Sequence, residues 1–277
     1  MLAAFGIYGR LTKQVVLAVL LTLVMVPGQI IALRLKHPIR STLPVRWHRM
    51  MCRIIGLKVI VHGQASTVRP LLIIANHVSW SDISALGTVM PLSFVAKSEV
   101  KDWPVFGTLA KLQRTVFIDR NDRKQTTQQA HEIASRLSSD NDVMVLFAEG
   151  TTGDGTRLLP FKSALTGAAA LAVGADGSSV IQPVAIAYTR YGGLPVGFKR
   201  RLEAAWIGDL DLLPHLKHIL TGQPLDVEIM FGEPIIIHPP LNRKAVTLAC
   251  ELSISAMVRE AFSGNVQSIH STLAPKP

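Results

Sequence analysis

The chain is poor in the residues that carry several whole classes of chemistry. Two cysteines in 277 residues, Cys52 and Cys250, form no Cys-x-x-Cys pair, which excludes a disulfide framework and fits a reducing cytoplasmic setting for the folded part. Aromatic residues make up only 6% and no zinc-finger or base-stacking motif occurs, so nucleic acid is not an expected partner. No Gly-x-Ser-x-Gly run is present, so a serine hydrolase of the α/β type lacks its nucleophile. Gly150-x4-Gly155 is followed by Thr156 and Arg157 where a phosphate-cradling loop needs Lys and then Ser or Thr. Neither His77 nor His48 with Cys52 assembles the three or four ligands of a zinc site, so no metal and no cofactor is expected. Internal repeats and low-complexity linkers are also missing, which favours one domain.

What is present is apolar and basic. Hydrophobic residues are 48% of the chain and charged residues 17%, which rules out a disordered protein and suits one large α/β domain. Twenty-nine basic against 19 acidic residues leave a net charge of +10, which points to an anionic partner such as lipid or a phosphorylated substrate. From Gln14 to Leu33 no residue is charged. Twenty such residues as a helix measure roughly 30 Å, the thickness of the hydrocarbon layer. Pro27, Gly28 and Gln29 are expected to interrupt this run, so a kinked span, a re-entrant hairpin and a helix lying in one leaflet all fit. Arg34, Lys36, Arg40, Arg46, Arg49 and Arg53 follow at once and set this flank on the cytoplasmic face of the inner membrane. Arg10 and Lys13 on the other flank argue against a full span. Residues 1–40 therefore read as a membrane-anchoring helical segment and 41–277 as an α/β domain.

Within that domain, Leu71–Ala75 and Asp142–Ala148 are apolar without alternation, as in strands covered on both faces within a parallel sheet. The expected fold is a mostly parallel central sheet flanked by helices. Strands are predicted over 57–62, 93–96, 115–119 and 180–188, and helices over 44–55, 105–112, 122–138, 162–173 and 244–262. Pro183 predicts an edge or bulged strand. Leu225–Phe231 alternates apolar and acidic residues and predicts an exposed strand, 234–240 a loop, and 192–222 irregular backbone.

Both unalternating strands end in chemistry. After the first come Asn76, His77, Ser79, Ser81 and Asp82, with either serine suited to cap a following helix. After the second comes Glu149-Gly150-Thr151-Thr152-Gly153-Asp154. The carboxyl edge of a parallel sheet is where such folds place their sites. His77 and Asp82 admit two readings: a helix start with an incidental histidine, or a base whose carboxylate fixes its tautomer while its second nitrogen takes a proton from a hydroxyl.

Taken together, Asn76-His77-Val-Ser-Trp-Ser-Asp82, Phe117-Ile-Asp119-Arg120, Phe147-Ala-Glu149-Gly150-Thr151 and Val180-Ile-Gln-Pro183-Val184 resemble, in order and spacing, the four blocks of the 1-acyl-glycerol-3-phosphate acyltransferase family. The resemblance implies that His77 and Asp82 form a catalytic dyad with no acyl-enzyme. Arg120, Glu149, Gly150 and Thr151 would hold the acceptor lipid, with Asn76 and Lys97 as further contacts. Acyl carrier protein or coenzyme A would carry the acyl thioester, and the alternative is a lipid-binding protein that keeps the fold without catalysis. Backbone amides around His77 or in the Gly150 loop would serve the oxyanion. Where the family usually has Arg after Glu-Gly-Thr, this chain has Thr152, and its longer block through Lys162 resembles the branch that acylates lyso-ornithine lipid. That acceptor offers a hydroxyl on an acyl chain and a zwitterionic amino-acid head.

Overall fold

The computed structural model describes residues 2–119, 123–139, 142–174, 176–208 and 210–264. Two helices come first, α1 (Leu2–Arg34) and α2 (Ile39–Ile55), the second closed by Gly56 in the left-handed region that glycine enters freely. Then follow β1 (Leu57–His62), β2 (Leu71–Ala75), α3 (Ser81–Gly87), β3 (Ser93–Lys97), α4 (Phe106–Leu112), β4 (Val116–Ile118), α5 (Arg123–Ser139) and β5 (Val143–Phe147). The remainder comprises α6 (Ala168–Leu171), β6 (Ser179–Tyr191), β7 (Leu194–Pro195), α7 (Leu212–Thr221), β8 (Leu225–Phe231), β9 (Ile235–Ile237) and α8 (Arg243–Ser263).

The strands form one mixed sheet in the order β1-β8-β6-β2-β5-β3-β4, with β7 and β9 also on β6. β2 lies at its middle, parallel to β5 on one side and β6 on the other, and none of its residues is more than 1% exposed. Its alternate side chains feed two cores. Leu72 and Ile74 pack toward α5 and α8, including Ile133, Leu137, Ile254 and Met257. Leu71, Ile73 and Ala75 pack with Cys52 and Ile55 of α2, Leu86 of α3 and Leu220 of α7. Burial on both faces is why this stretch shows no alternation.

Several expectations are corrected. Leu225–Phe231 is not exposed: β8 lies between β1 and β6 and every residue is buried. Its acidic positions are tolerated because Asp226 pairs with Lys58 at 3.7 Å, and Glu228 accepts from the Thr189 hydroxyl at 2.8 Å beside His62 at 3.1 Å. Pro183 stands inside the sheet, where β6 changes partner from β9 to β8 and the missing N–H leaves no ladder bond unmade. The 162–173 helix shrinks to α6, because the Phe161 and Lys162 amides are tied to Glu251 and to the Ala148 carbonyl. The 192–222 stretch contains α7, and β9 replaces part of the expected 234–240 loop.

The apolar N-terminal run is a single helix that continues through Pro27. Every polar group along it that the structure pairs faces the protein. Arg10 donates to the Leu220 and Gly222 carbonyls and Gln14 to Ile54. Thr22 accepts from the Trp47 indole, and Gln29 donates to the carbonyls of Arg40 and Leu112, both at 3.0 Å. The opposite face exposes Val15, Val16, Val19, Leu20, Leu23, Val24 and Ile31.

Candidate active site

β2 and β5 pair in register, Ala75 with Phe147, so the two chemistry-bearing loops leave the sheet side by side. Asn76 extends the β2–β6 ladder with its side chain: its Nδ2 donates to the Ile186 carbonyl at 2.9 Å and its Oδ1 accepts from the Ile186 amide at 2.8 Å. Both amide atoms are therefore committed to the sheet. Asn76, expected as a substrate contact, lines the cleft and through these bonds braces the residue that follows it.

The imidazole of His77 lies flat on Phe147, ring centres 3.9 Å apart and planes 13° apart. Its Nδ1 is 2.8 Å from Oδ2 of Asp82. A carboxylate only accepts, so Nδ1 carries the hydrogen, and in the neutral ring the lone pair is on Nε2. Among the described residues nothing bonds to Nε2, and His77 lines a cleft together with Val78, Glu149, Gly153, Arg157 and Arg201. Asp82 is wholly buried. Its Oδ2 also accepts from the Val78 and Ser79 amides at 2.7 and 3.0 Å, and its Oδ1 from the Tyr188 hydroxyl at 2.7 Å. Burial first, then the nearby Asp82 charge, hold the Tyr188 phenol well above its ordinary range, so it stays a donor.

This arrangement overturns two details. Neither serine caps α3; Asp82 folds back onto the turn amides instead, while Ser81 bonds to Tyr188 at 2.6 Å. Of the amides expected to serve the oxyanion, those of the first turn are engaged, His77 with Glu149 and Val78 and Ser79 with Asp82, as is that of Gly150 with the Phe147 carbonyl.

Glu149 lines the cleft, and its carboxylate is committed to backbone amides. It is 3% exposed, and its two oxygens accept from the amides of His77 at 2.7 Å and Leu159 at 2.8 Å. Burial pushes its carboxyl up from 4.5 to about 7, against the pull of those two N–H groups. A carboxyl whose folded value is raised binds its proton more tightly folded than unfolded, so its share of stability is present at low pH and declines as pH rises from about 4.5 to 7. Glu149→Gln is expected to remove that slope, worth about 3 kcal/mol across the window. Melting temperatures of both proteins from pH 4 to 8 test this, and parallel curves contradict it.

Gly150 adopts a φ of +75°, and Lys162 Nζ would lie 3.0 Å from any Cβ placed there. Thr151 is half-buried in the same turn. Thr152 is 4% exposed, and its buried hydroxyl has no partner among the described residues, so position 152 points into the protein and not into the cleft. Lys97 ends β3, which β5 separates from β2. Arg120 lies outside the described residues. Among those residues no group of three His, Cys, Asp or Glu is placed to hold a metal. Burial pushes the thiols of Cys52 and Cys250 up to about 12, which makes both poor nucleophiles.

Tyr188, Phe147 and Arg201 carry no role in the sequence reading. A tyrosine near the end of an apolar strand is the one available signal, because its buried hydroxyl requires a partner.

The acyltransferase family profile matches residues 58–187. A lyso-ornithine lipid O-acyltransferase of Brucella abortus is 46% identical, covering 92% of this chain and 96% of its own length. One from Rhizobium meliloti is 45% identical, with 91% and 87% covered. A 1-acyl-sn-glycerol-3-phosphate acyltransferase of Neisseria gonorrhoeae is 39% identical, with 74% and 76% covered. In fold, the chain is similar to the crystal structure of the 1-acyl-sn-glycerophosphate acyltransferase from Thermotoga maritima, with a TM-score of 0.59 at 19% identity over 89% of this chain and 97% of that one.

Proposed function

Since this chain belongs to the lysophospholipid acyltransferase family, we propose that it transfers a fatty acyl group from a thioester donor to the hydroxyl of lyso-ornithine lipid, with His77 as base. The observation that carries the mechanism is the relay Tyr188–Asp82–His77, which ends on an unpartnered Nε2 at the cleft. The acceptor hydroxyl gives its proton to Nε2 as its oxygen attacks the thioester carbonyl. Asp82 steadies the imidazolium that forms. Collapse of the tetrahedral adduct breaks the C–S bond, and the imidazolium proton goes to the departing sulfur, so the products are an ester and a free thiol. No protein nucleophile is required when the hydroxyl is held against the carbonyl.

Two observations favour ornithine over glycerophosphate. Relatives at 45–46% identity carry the ornithine name. Position 152, where the family resemblance implies an arginine for phosphate acceptors, is a buried threonine.

The anchor reading is refined alongside. A helix tied to the domain from Arg10 to Gln29, about 28 Å, lies along it, so α1 is half-sunk in one leaflet rather than crossing the bilayer. Residues 1–40 serve as anchor and 41–277 as catalytic domain, with the exposed Arg34, Lys36, Arg46, Arg49 and Arg53 against the head groups of the cytoplasmic face.

The test offers purified protein lyso-ornithine lipid and lysophosphatidic acid side by side, with acyl carrier protein and coenzyme A thioesters as donors and chelator present. Ester formation on lyso-ornithine lipid, undiminished by chelator, is the expected outcome. Transfer to the phosphate acceptor alone contradicts the head-group assignment.

A further inference from the structure

Arg201 lies outside all four sequence blocks, in the turn Phe198–Glu203 that follows β7, yet it lines the same cleft as His77. Its Cζ sits 3.6 Å from the centre of the Phe262 ring, a stacking that fixes the guanidinium plane. Its Nε–H is buried without an acceptor among the described residues. A buried donor on a charged group is costly unless something accepts from it, and no acceptor among the described residues accounts for this one.

The surroundings carry both signs. Arg157 lines the cleft as well, and Asp154 lies close enough to act on Arg201 electrostatically. Asp154 is held in place through Oδ1, which accepts from the Thr156 amide at 2.8 Å and hydroxyl at 2.6 Å.

We propose that Arg201 seats the carboxylate of the acceptor's amino-acid head, with Asp154 facing its ammonium group, so that these two residues select the acceptor. The inference rests on the lyso-ornithine reading and extends it to residues that no block contains. A planar guanidinium matches a carboxylate through two parallel hydrogen bonds, and stacking on Phe262 orients it beforehand. Asp154 adds discrimination of the opposite kind, because a doubly negative phosphate placed at Arg201 meets its repulsion.

The experiment uses the full chain in mixed micelles with three acceptors: lyso-ornithine lipid, its analogue with a diaminobutane head that lacks the carboxylate, and lysophosphatidic acid. Arg201→Gln is expected to raise KM for lyso-ornithine lipid about tenfold or more with kcat within about threefold, and to leave the diaminobutane analogue unaffected. Arg201→Lys keeps the charge and the contact with Phe262. It guards against misfolding and is expected to show a smaller rise confined to the carboxylate acceptor. Asp154→Asn is expected to improve lysophosphatidic acid relative to lyso-ornithine lipid. If Arg201→Gln shifts both ornithine-type acceptors equally, Arg201 only supports packing and the proposal is overturned; an unchanged KM overturns it too. Wild-type protein that ignores lyso-ornithine lipid sinks the acceptor reading as well, whereas normal wild-type turnover with an insensitive Arg201→Gln sinks this inference alone.

Discussion

Replacing His77 with Ala is expected to lower kcat about 10²- to 10⁴-fold with either thioester donor, the range a positioned general base contributes. The fold should survive, because no hydrogen bond that organises the sheet passes through the ring. The loop is fixed by its backbone, where the His77 amide donates to Glu149 and its carbonyl accepts from Gly153 at 2.9 Å. The substitution also removes a ring stacked on Phe147, so a drop in melting temperature of a few degrees is expected, on the scale of about 1 kcal/mol. Vesicle binding should match the wild type, since α1 lies elsewhere on the protein. Turnover within tenfold of wild type would remove the base from the mechanism.

Asp82 separates chemistry from architecture. In Asp82→Asn the amide oxygen can still accept from the Val78 and Ser79 amides while its nitrogen turns toward the Tyr188 hydroxyl, so the turn is retained and the charge is lost. A fall in kcat of about 10²- to 10⁴-fold with a small change in stability is expected, because the imidazolium loses its counter-charge. Asp82→Ala strands the Val78 and Ser79 amides and the His77 Nδ1–H in a buried site, while the Tyr188 hydroxyl keeps Ser81. Each stranded donor costs about 1–3 kcal/mol, so this variant should lose several kcal/mol and fail to accumulate as folded protein. Urea denaturation of the two variants beside wild type distinguishes the effects. Equal stability of Asn and Ala variants would show that the carboxylate does not organise the turn.

How much of this was legible in the sequence depends on whether the governing interaction is local. The unalternating runs at 71–75 and 143–147 reveal central parallel strands, because burial on both faces removes every polar position from the stretch itself. The ordered blocks revealed His77 and Asp82 for the same reason, since five positions suffice to close a side chain onto a turn. Misreadings arose where the partner is distant in sequence. Asp226 and Glu228 read as solvent-facing until Lys58, His62 and Thr189 are brought across the sheet. The structural bonds of Glu149 were not legible either: its oxygens accept from the His77 amide, 72 positions away, and from the Leu159 amide. Asn76 likewise answers to Ile186, 110 positions on. Pro27 looked like a break because helix propensity is a local quantity, whereas the bonds of Gln29 to Arg40 and Leu112 are not.

The fastening of α1 at Arg10, Gln14, Thr22 and Gln29 has a mechanical consequence. On the proposed placement of α1 in one leaflet, a body riveted to that helix at four points cannot rock, and its mouth is expected to stay at one height above the acyl tails. Among lipids diffusing past, the one whose alcohol rides at that height meets the imidazole without being lifted. Elevation in the leaflet would then act as a sieve before any head group is read.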